Sequence, residues 1–183
     1  MWLPLFQKIL TRNAMKTPRL LKPILILPGT VLVFMPTVIL ISTYKRFPPE
    51  LIGPDRLLFW PGLVAAGLGL AMAFWTVSLF TRFGQGTPAP WDPPQKLVVR
   101  GPYRYVRNPM ITSVLLMLGA EALLFQSWPI FLWLLAFFLL NSIYFPLFEE
   151  RSLEKRFGND YQEYKKHVPR WVPRLTPWSP PEK

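Results

Sequence analysis

The chain has 183 residues, 51% of them apolar and 15% aromatic, with a formal net charge of +11. It has no cysteine and one histidine, His167, which excludes disulfides, iron–sulfur clusters and thiol nucleophiles and leaves too few ligands for a zinc site. Its length suits one domain, but its long uncharged runs exclude a soluble one.

Residues 1–22 set Trp2, Leu3, Leu5, Phe6, Ile9 and Leu10 beside Lys8 and Arg12, the pattern of a basic helix lying on a membrane surface. The first apolar run that follows is too long for a signal-peptide core and no small-residue cleavage site follows it, so no cleaved leader is expected. Residues 23–44 are uncharged and contain Pro28 and Pro36, which predicts a kinked membrane span. A second span is predicted near 57–80. It is rich in small residues, with Gly62/Ala66 and Gly69/Ala73 at spacings that let helices approach closely. Contact within the chain is one use of that face, and a homodimer is the other.

From Asn108 to Phe148 the only charged residue is Glu121. That run is too long for one span and suits two, near 110–126 and 129–148, broken at Gln126, Ser127, Trp128 and Pro129. The expected architecture is therefore all-α, a single membrane domain of four transmembrane helices with the last two as a tight hairpin. The first two spans occupy 23–80, a loop 81–107, the hairpin 108–148 and a tail 149–183. Glu121 is either a functional intramembrane acid or, on a short third span, a group near the far face.

Lys and Arg number five before the first span, three in the first loop, five in the second, none in the third and eight in the tail. This asymmetry places the N-terminus, the 81–107 loop and the tail on the cytoplasmic side. Anionic lipid headgroups then account for the charge excess, and nucleic acid is not expected as a partner. The expected location is an integral position in a bacterial inner membrane.

The loop carries Pro88, Pro90, Pro93, Pro94 and Pro102 with Gly84, Gly86 and Gly101, a composition for a shaped segment rather than a floppy linker. Pro109 suits the first turn of the third span and Asn108 its N-cap. In the tail, Leu153, Phe157, Tyr161, Tyr164 and Val168 recur at helical spacing as one apolar stripe. Gly158 is expected to end one helix, with Asp160 and Glu163 spaced as a capping box for the next. Trp171 and Trp178 suit the headgroup region.

Two polar clusters flank the hairpin: Tyr103, Arg104, Arg107 and Asn108 at its entrance, and Glu149, Glu150 and Arg151 at its exit. A tight hairpin returns the chain to the side it left, so residues about 40 apart become neighbours. Adjacent carboxylates at a membrane edge are costly unless paired or bound to something. They either pair with Arg107, Arg151 or Lys155, or form part of a polar cofactor pocket in which Arg and Asn take a carboxylate and Glu takes hydroxyls or an ammonium group.

The segments GPYRYVRNPMITS and EERSLEKRFGNDYQEYKKHVPRW, on either side of an apolar hairpin, resemble the isoprenylcysteine carboxyl methyltransferase family and the related phospholipid N-methyltransferases. The resemblance covers roughly residues 81–175. It implies an S-adenosylmethionine site at the cytoplasmic end of the hairpin, lined by Tyr103, Arg107, Asn108, Pro109, Glu149 and Glu150 and closed by Tyr161 and Tyr164, with Arg107 and Glu150 as its catalytic pair. Asn108 stands where the best-known members of that family have histidine. The resemblance further implies methyl transfer to a lipid-like or prenylated acceptor embedded among membrane lipids, with no metal. A carboxylate acceptor would need no base, whereas an amine would have to give up a proton, to Glu149 or Glu150. Two alternatives stand beside it: an NAD(P)H-dependent membrane reductase related to sterol reductases, and a non-catalytic membrane scaffold.

Overall fold

The computed structural model describes residues 26–84 and 95–180. The expected interfacial helix of 1–22 and four of the five loop prolines lie outside these residues. Regular structure among the described residues is entirely helical. In chain order the elements are α1 (Ile26–Thr43), α2 (Phe59–Leu79), α3 (Pro109–Leu124), α4 (Trp128–Tyr144), α5 (Glu150–Phe157) and α6 (Asn159–His167). A π-helical turn, Phe80–Gly84, extends α2, and another, Phe145–Glu149, joins α4 to α5 without a break.

Three helical rods are long and apolar enough to cross a membrane: α1, Phe59–Gly84 and Trp128–Phe157. The remaining apolar helix, α3, has 16 residues. It spans only about 24 Å at the helical rise, short of the roughly 30 Å hydrocarbon core of a bilayer. Large apolar side chains stand exposed on the rods, among them Ile41 at 74% and Phe74 at 75%. In water such a surface would aggregate, but against lipid it is the natural outer face.

The interior holds Leu118 and Ile130, both fully buried, together with small and weakly polar residues where helices meet. Thr76 and Ser113 are fully buried, and their hydroxyls donate back to the carbonyls of Met72 (2.8 Å) and Met110 (2.6 Å) on their own helices. Helix α2 lies against α3 at Gly62 and Gly69. A Cβ on Gly69 would fall 2.8 Å from Met117 Cγ and 3.0 Å from the Ser113 carbonyl, and one on Gly62 would fall 3.0 Å from Leu124. The Gly62/Gly69 part of the small-residue face is therefore taken up inside the chain and is not open to a second copy.

The prolines act through the hydrogen bonds they cannot donate. In α1 the Met35 amide donates to Thr30 O, five residues back, within the π-helical stretch Thr30–Phe34. In that register Val31 O would accept from residue 36, which is proline and has no N–H. The indole Nε1 of Trp133 on α4 donates to Val31 O instead, at 3.2 Å. The kink expected from Pro28 and Pro36 is thus a local widening of the helix that ties α1 to α4.

Helices α3 and α4 are joined by a three-residue turn in which Gln126 takes φ 44°. The Ser127 side chain caps α4 by accepting from Ile130 N at 3.4 Å. The α1–α2 loop closes against this end of the molecule, where the amides of Glu50 and Ile52 donate to the carbonyls of Phe125 and Leu124. Glu121, half-buried, sits one turn from this end of α3. The polar clusters lie at the opposite end.

Candidate functional site

At that end the chain enters α3 through a 3₁₀ turn, Gly101–Arg104. Gly101 has φ 54°, and a Cβ there would meet Leu79 and Trp75 of α2 at 2.9 and 3.1 Å. Only glycine fits both the conformation and the space. The turn buries Tyr103 against Leu79, Val98 and the Phe80 ring. Asn108 is the N-cap of α3, yet its side chain makes no capping bond; its carbonyl accepts from the amide and hydroxyl of Thr112, each at 3.0 Å. The capping role expected of the Asn108 side chain is therefore not taken up: the residue has φ −117° and ψ 54°, away from the extended conformation from which a side chain usually caps.

Glu149 and Glu150 arrive through the π turn. The Glu150 amide bonds Phe145 O, five residues back, around Pro146. The one extra residue rotates everything downstream by about 100° about the helix axis. The two carboxylates have different surroundings. Glu150 is 3% exposed. Its Oε1 accepts from Arg107 Nη1 at 3.0 Å and from Arg170 Nε at 2.8 Å, while Lys165 Nζ lies 3.1 Å from Oε2. Glu149 makes no ion pair among the described residues and faces a cavity.

That cavity, of about 340 Å³, is lined on one side by Tyr103, Arg107, Asn108, Met110 and Ile111. Tyr144, Phe145, Phe148, Glu149, Ser152 and Arg156 line the other side, with Tyr161 and Tyr164 between them and Phe80 and Lys96 to Val98 at the rim. Six of the eight residues expected at a cofactor pocket thus meet at one cavity. Glu150 stands behind Arg107 rather than on the wall, and Pro109 is buried in the first turn of α3. Arg107 Nε and Asn108 Nδ2 are buried without a hydrogen-bond partner. Leaving such a donor unmade costs about 1–3 kcal/mol; Ser142 Oγ and Glu150 Oε2 are likewise buried without a hydrogen-bond partner.

The tyrosines are neutral walls rather than bases. Burial pushes the Tyr161 hydroxyl up to about 12, with the Glu150 charge adding to the effect and the Arg107 guanidinium opposing it. Burial also holds Tyr103 and Tyr164 well above the ordinary phenol value. Tyr164 OH donates to Tyr103 O at 2.7 Å, pinning α6 to the entrance turn. The tail stripe forms a core of Tyr161, Tyr164 and Val168, packed on Leu97, Val99, Leu153, Phe157 and Trp178. Gly158, at φ 54°, ends α5 and is itself the N-cap of α6, so the capping box expected from Asp160 and Glu163 does not form. His167 stacks on Trp178 with ring centroids 5.4 Å apart, and Trp171 packs on Phe138 and Phe145 of the α4 rod.

Sequence reasoning missed Arg170 and Lys165 as partners of Glu150, and the wall formed by Phe80 and Leu97. The Val168-Pro169-Arg170 step directly after the aromatic stripe was the available signal for Arg170. The π turn had only Pro146 to announce it.

Fold and site together define a membrane-embedded helical protein with a mixed polar and aromatic cavity at one end of its helices. Residues 57–160, more than half of the chain, match the phospholipid methyltransferase family, and the protein belongs to that family. No curated protein and no solved structure matches it significantly. The match covers α2 to α5 and stops one residue short of Tyr161.

Proposed function

We propose that the protein is an S-adenosylmethionine-dependent methyltransferase acting on a lipid-like acceptor at the cytoplasmic membrane interface. The observation that carries this reading is the pairing, on one cavity wall, of two buried donors without partners, Arg107 Nε and Asn108 Nδ2, opposite an unpaired carboxylate, Glu149. A zwitterionic amino-acid moiety asks for that arrangement, with donors for its carboxylate and an acceptor for its ammonium group. The volume lies within the roughly 300–1,000 Å³ of small-molecule sites, and the Tyr and Phe faces suit a purine. S-adenosylmethionine, when bound, supplies an electrophilic methyl group on a sulfonium centre.

The chain's own residues have limited but definite work. Arg107, held by Glu150, and Asn108 orient the donor, while the neutral tyrosines and Phe145 exclude water from the transfer line. Tyr144 and Phe148 are exposed on the lipid side of the cavity, so an acceptor enters sideways from the bilayer. An amine headgroup must lose a proton before or during transfer, and Glu149 is the carboxylate placed to take it. A carboxylate acceptor would need no base. Membership of the phospholipid methyltransferase family favours the amine over the prenylated carboxylate, and favours methyl transfer over a reductase or a scaffold. In this reading α3 and α4 form a hairpin completing four membrane helices, with both termini cytoplasmic.

Purified protein in lipid nanodiscs would be titrated calorimetrically with S-adenosylmethionine, S-adenosylhomocysteine and NADPH. The first two should bind, and Arg107→Ala should abolish it. Binding of NADPH alone, or of none of the three, would overturn the proposal. Transfer of labelled methyl groups into a lipid extract then identifies the acceptor, and Glu149→Gln, which removes the charge facing the ammonium group, should weaken cofactor binding at least tenfold and slow transfer to an amine acceptor even at saturating cofactor.

A further inference from the structure

The family match ends at residue 160, yet the segment that follows α6 is stitched onto the site. Residues 168–179 run back along the 101–107 entrance as a strap. Arg107 N donates to Pro169 O at 2.9 Å, Arg174 N to Tyr105 O at 3.0 Å and Trp178 N to Arg104 O at 3.0 Å. In return Arg104 Nε donates to Trp178 O at 2.9 Å, and its guanidinium also bonds the Ser179 hydroxyl. The first of these bonds sets Pro169 against the backbone of Arg107, which places the next residue, Arg170, at Glu150. There Arg170 Nε and Arg107 Nη1 share one carboxylate oxygen, at 2.8 and 3.0 Å.

We propose that Arg170 is a positioning residue for the cofactor cavity: it fixes the Glu150 carboxylate in the one orientation that holds the Arg107 guanidinium at the cavity wall. The inference rests on the methyl-donor reading of that cavity. Glu150 is reached by three cations, Arg107, Lys165 and Arg170, and a single carboxylate oxygen serves two of them. Without Arg170, Glu150 Oε1 is free to turn towards Lys165, which already bridges it to Glu154. Arg107 then loses its anchor and the cavity loses its fixed donor. Arg170 is about one quarter exposed, its side chain at 24%, and does not line the cavity, so it acts only through Glu150.

The test uses full-length protein in nanodiscs and S-adenosylhomocysteine as probe. Arg170→Gln, which keeps reach but removes charge, should weaken binding about tenfold or more. Arg170→Lys should recover most of that loss, and Val172→Ser, on the exposed part of the same strap, should bind like wild type. In a Glu150→Gln background, adding Arg170→Gln should weaken binding no further. Wild-type-like affinity in Arg170→Gln would overturn the inference. Equal losses in Arg170→Gln, Arg170→Lys and Val172→Ser would also overturn it, because they would show a strap that merely holds its shape. If wild-type protein binds no S-adenosylhomocysteine, it is the methyl-donor reading that fails, and the two failures are told apart.

Discussion

Asn108 is the residue whose role changed most between sequence and structure. As a helix cap it would be replaceable by Asp or Ser; its side-chain amide is instead buried without a partner beside Arg107, and under the proposed function it is not replaceable by Asp. Asn108→Asp, which turns a donor into an anion facing the cofactor's carboxylate, should weaken S-adenosylmethionine binding at least tenfold in calorimetry. Asn108→His keeps a donor and should bind within a few-fold of wild type. Tyr161 offers a prediction with a sign. Its hydroxyl is raised from 10.0 to about 12 in the folded protein, so the folded state favours the protonated phenol. The stability this contributes is complete below about pH 10 and disappears as pH rises through about 12. Alkaline unfolding followed by circular dichroism should therefore begin above pH 10, and Tyr161→Phe, which cannot ionise, should move it upward.

At the scale of elements, the contact between α2 and α3 decides how closely the cavity end is held. Gly69 and Gly67 lie two residues apart, but only Gly69 faces α3. Gly69→Ala would set a methyl 3.0 Å from a backbone carbonyl and force the helices apart, at roughly 1–3 kcal/mol for such overpacking. Gly67 has nothing within 4 Å of a Cβ, so Gly67→Ala should be neutral or slightly stabilising through helix propensity. Melting temperatures of the two variants in one detergent would separate them. The π turn before Glu149 makes a second prediction. Pro146→Ala restores an amide that can close a regular turn, and the resulting rotation of about 100° would carry Glu150 away from Arg107. Cofactor binding should fall at least tenfold, while membrane insertion, which depends on apolar length, should be unchanged in a fractionation assay.

At the scale of the molecule, the cavity lies at one end of the helix bundle and the α1–α2 loop at the other. The natural absence of cysteine gives a clean background for labelling. Cysteines placed at Asp55 and at Ser179 should react with an impermeant maleimide from opposite sides of a sealed vesicle; labelling from the same side would invert the proposed topology. Removing residues 168–183 should leave the membrane helices inserted but lower S-adenosylmethionine affinity at least tenfold, since Arg170 and the bonds from Pro169 and Trp178 go with them. Protease protection together with calorimetry would show both halves of that outcome.

What the amino-acid order determined alone is set by properties that act over one segment. Runs of about 20 apolar residues become helices in lipid, because only a helix satisfies a segment's backbone from within that segment. Glycine at 158 ends a helix wherever it is placed in space, and the stripe from Leu153 to Val168 had to find an apolar partner. The pairing of Arg107 with Glu150 was also legible, since a tight turn between apolar helices returns the chain to its starting side. Tertiary structure decided what depends on angle and on competition. The π turn at Pro146 divided the adjacent glutamates between an ion-pair cluster and a cavity. The backbone conformation of Asn108 left its side chain out of the cap, and the packing of α2 on α3 used glycines that could have served a dimer. Arg170 reached Glu150 only because strap and entrance turn share backbone hydrogen bonds. A carboxylate's partner is chosen by geometry among several nearby cations, and no local pattern in the chain encodes that choice.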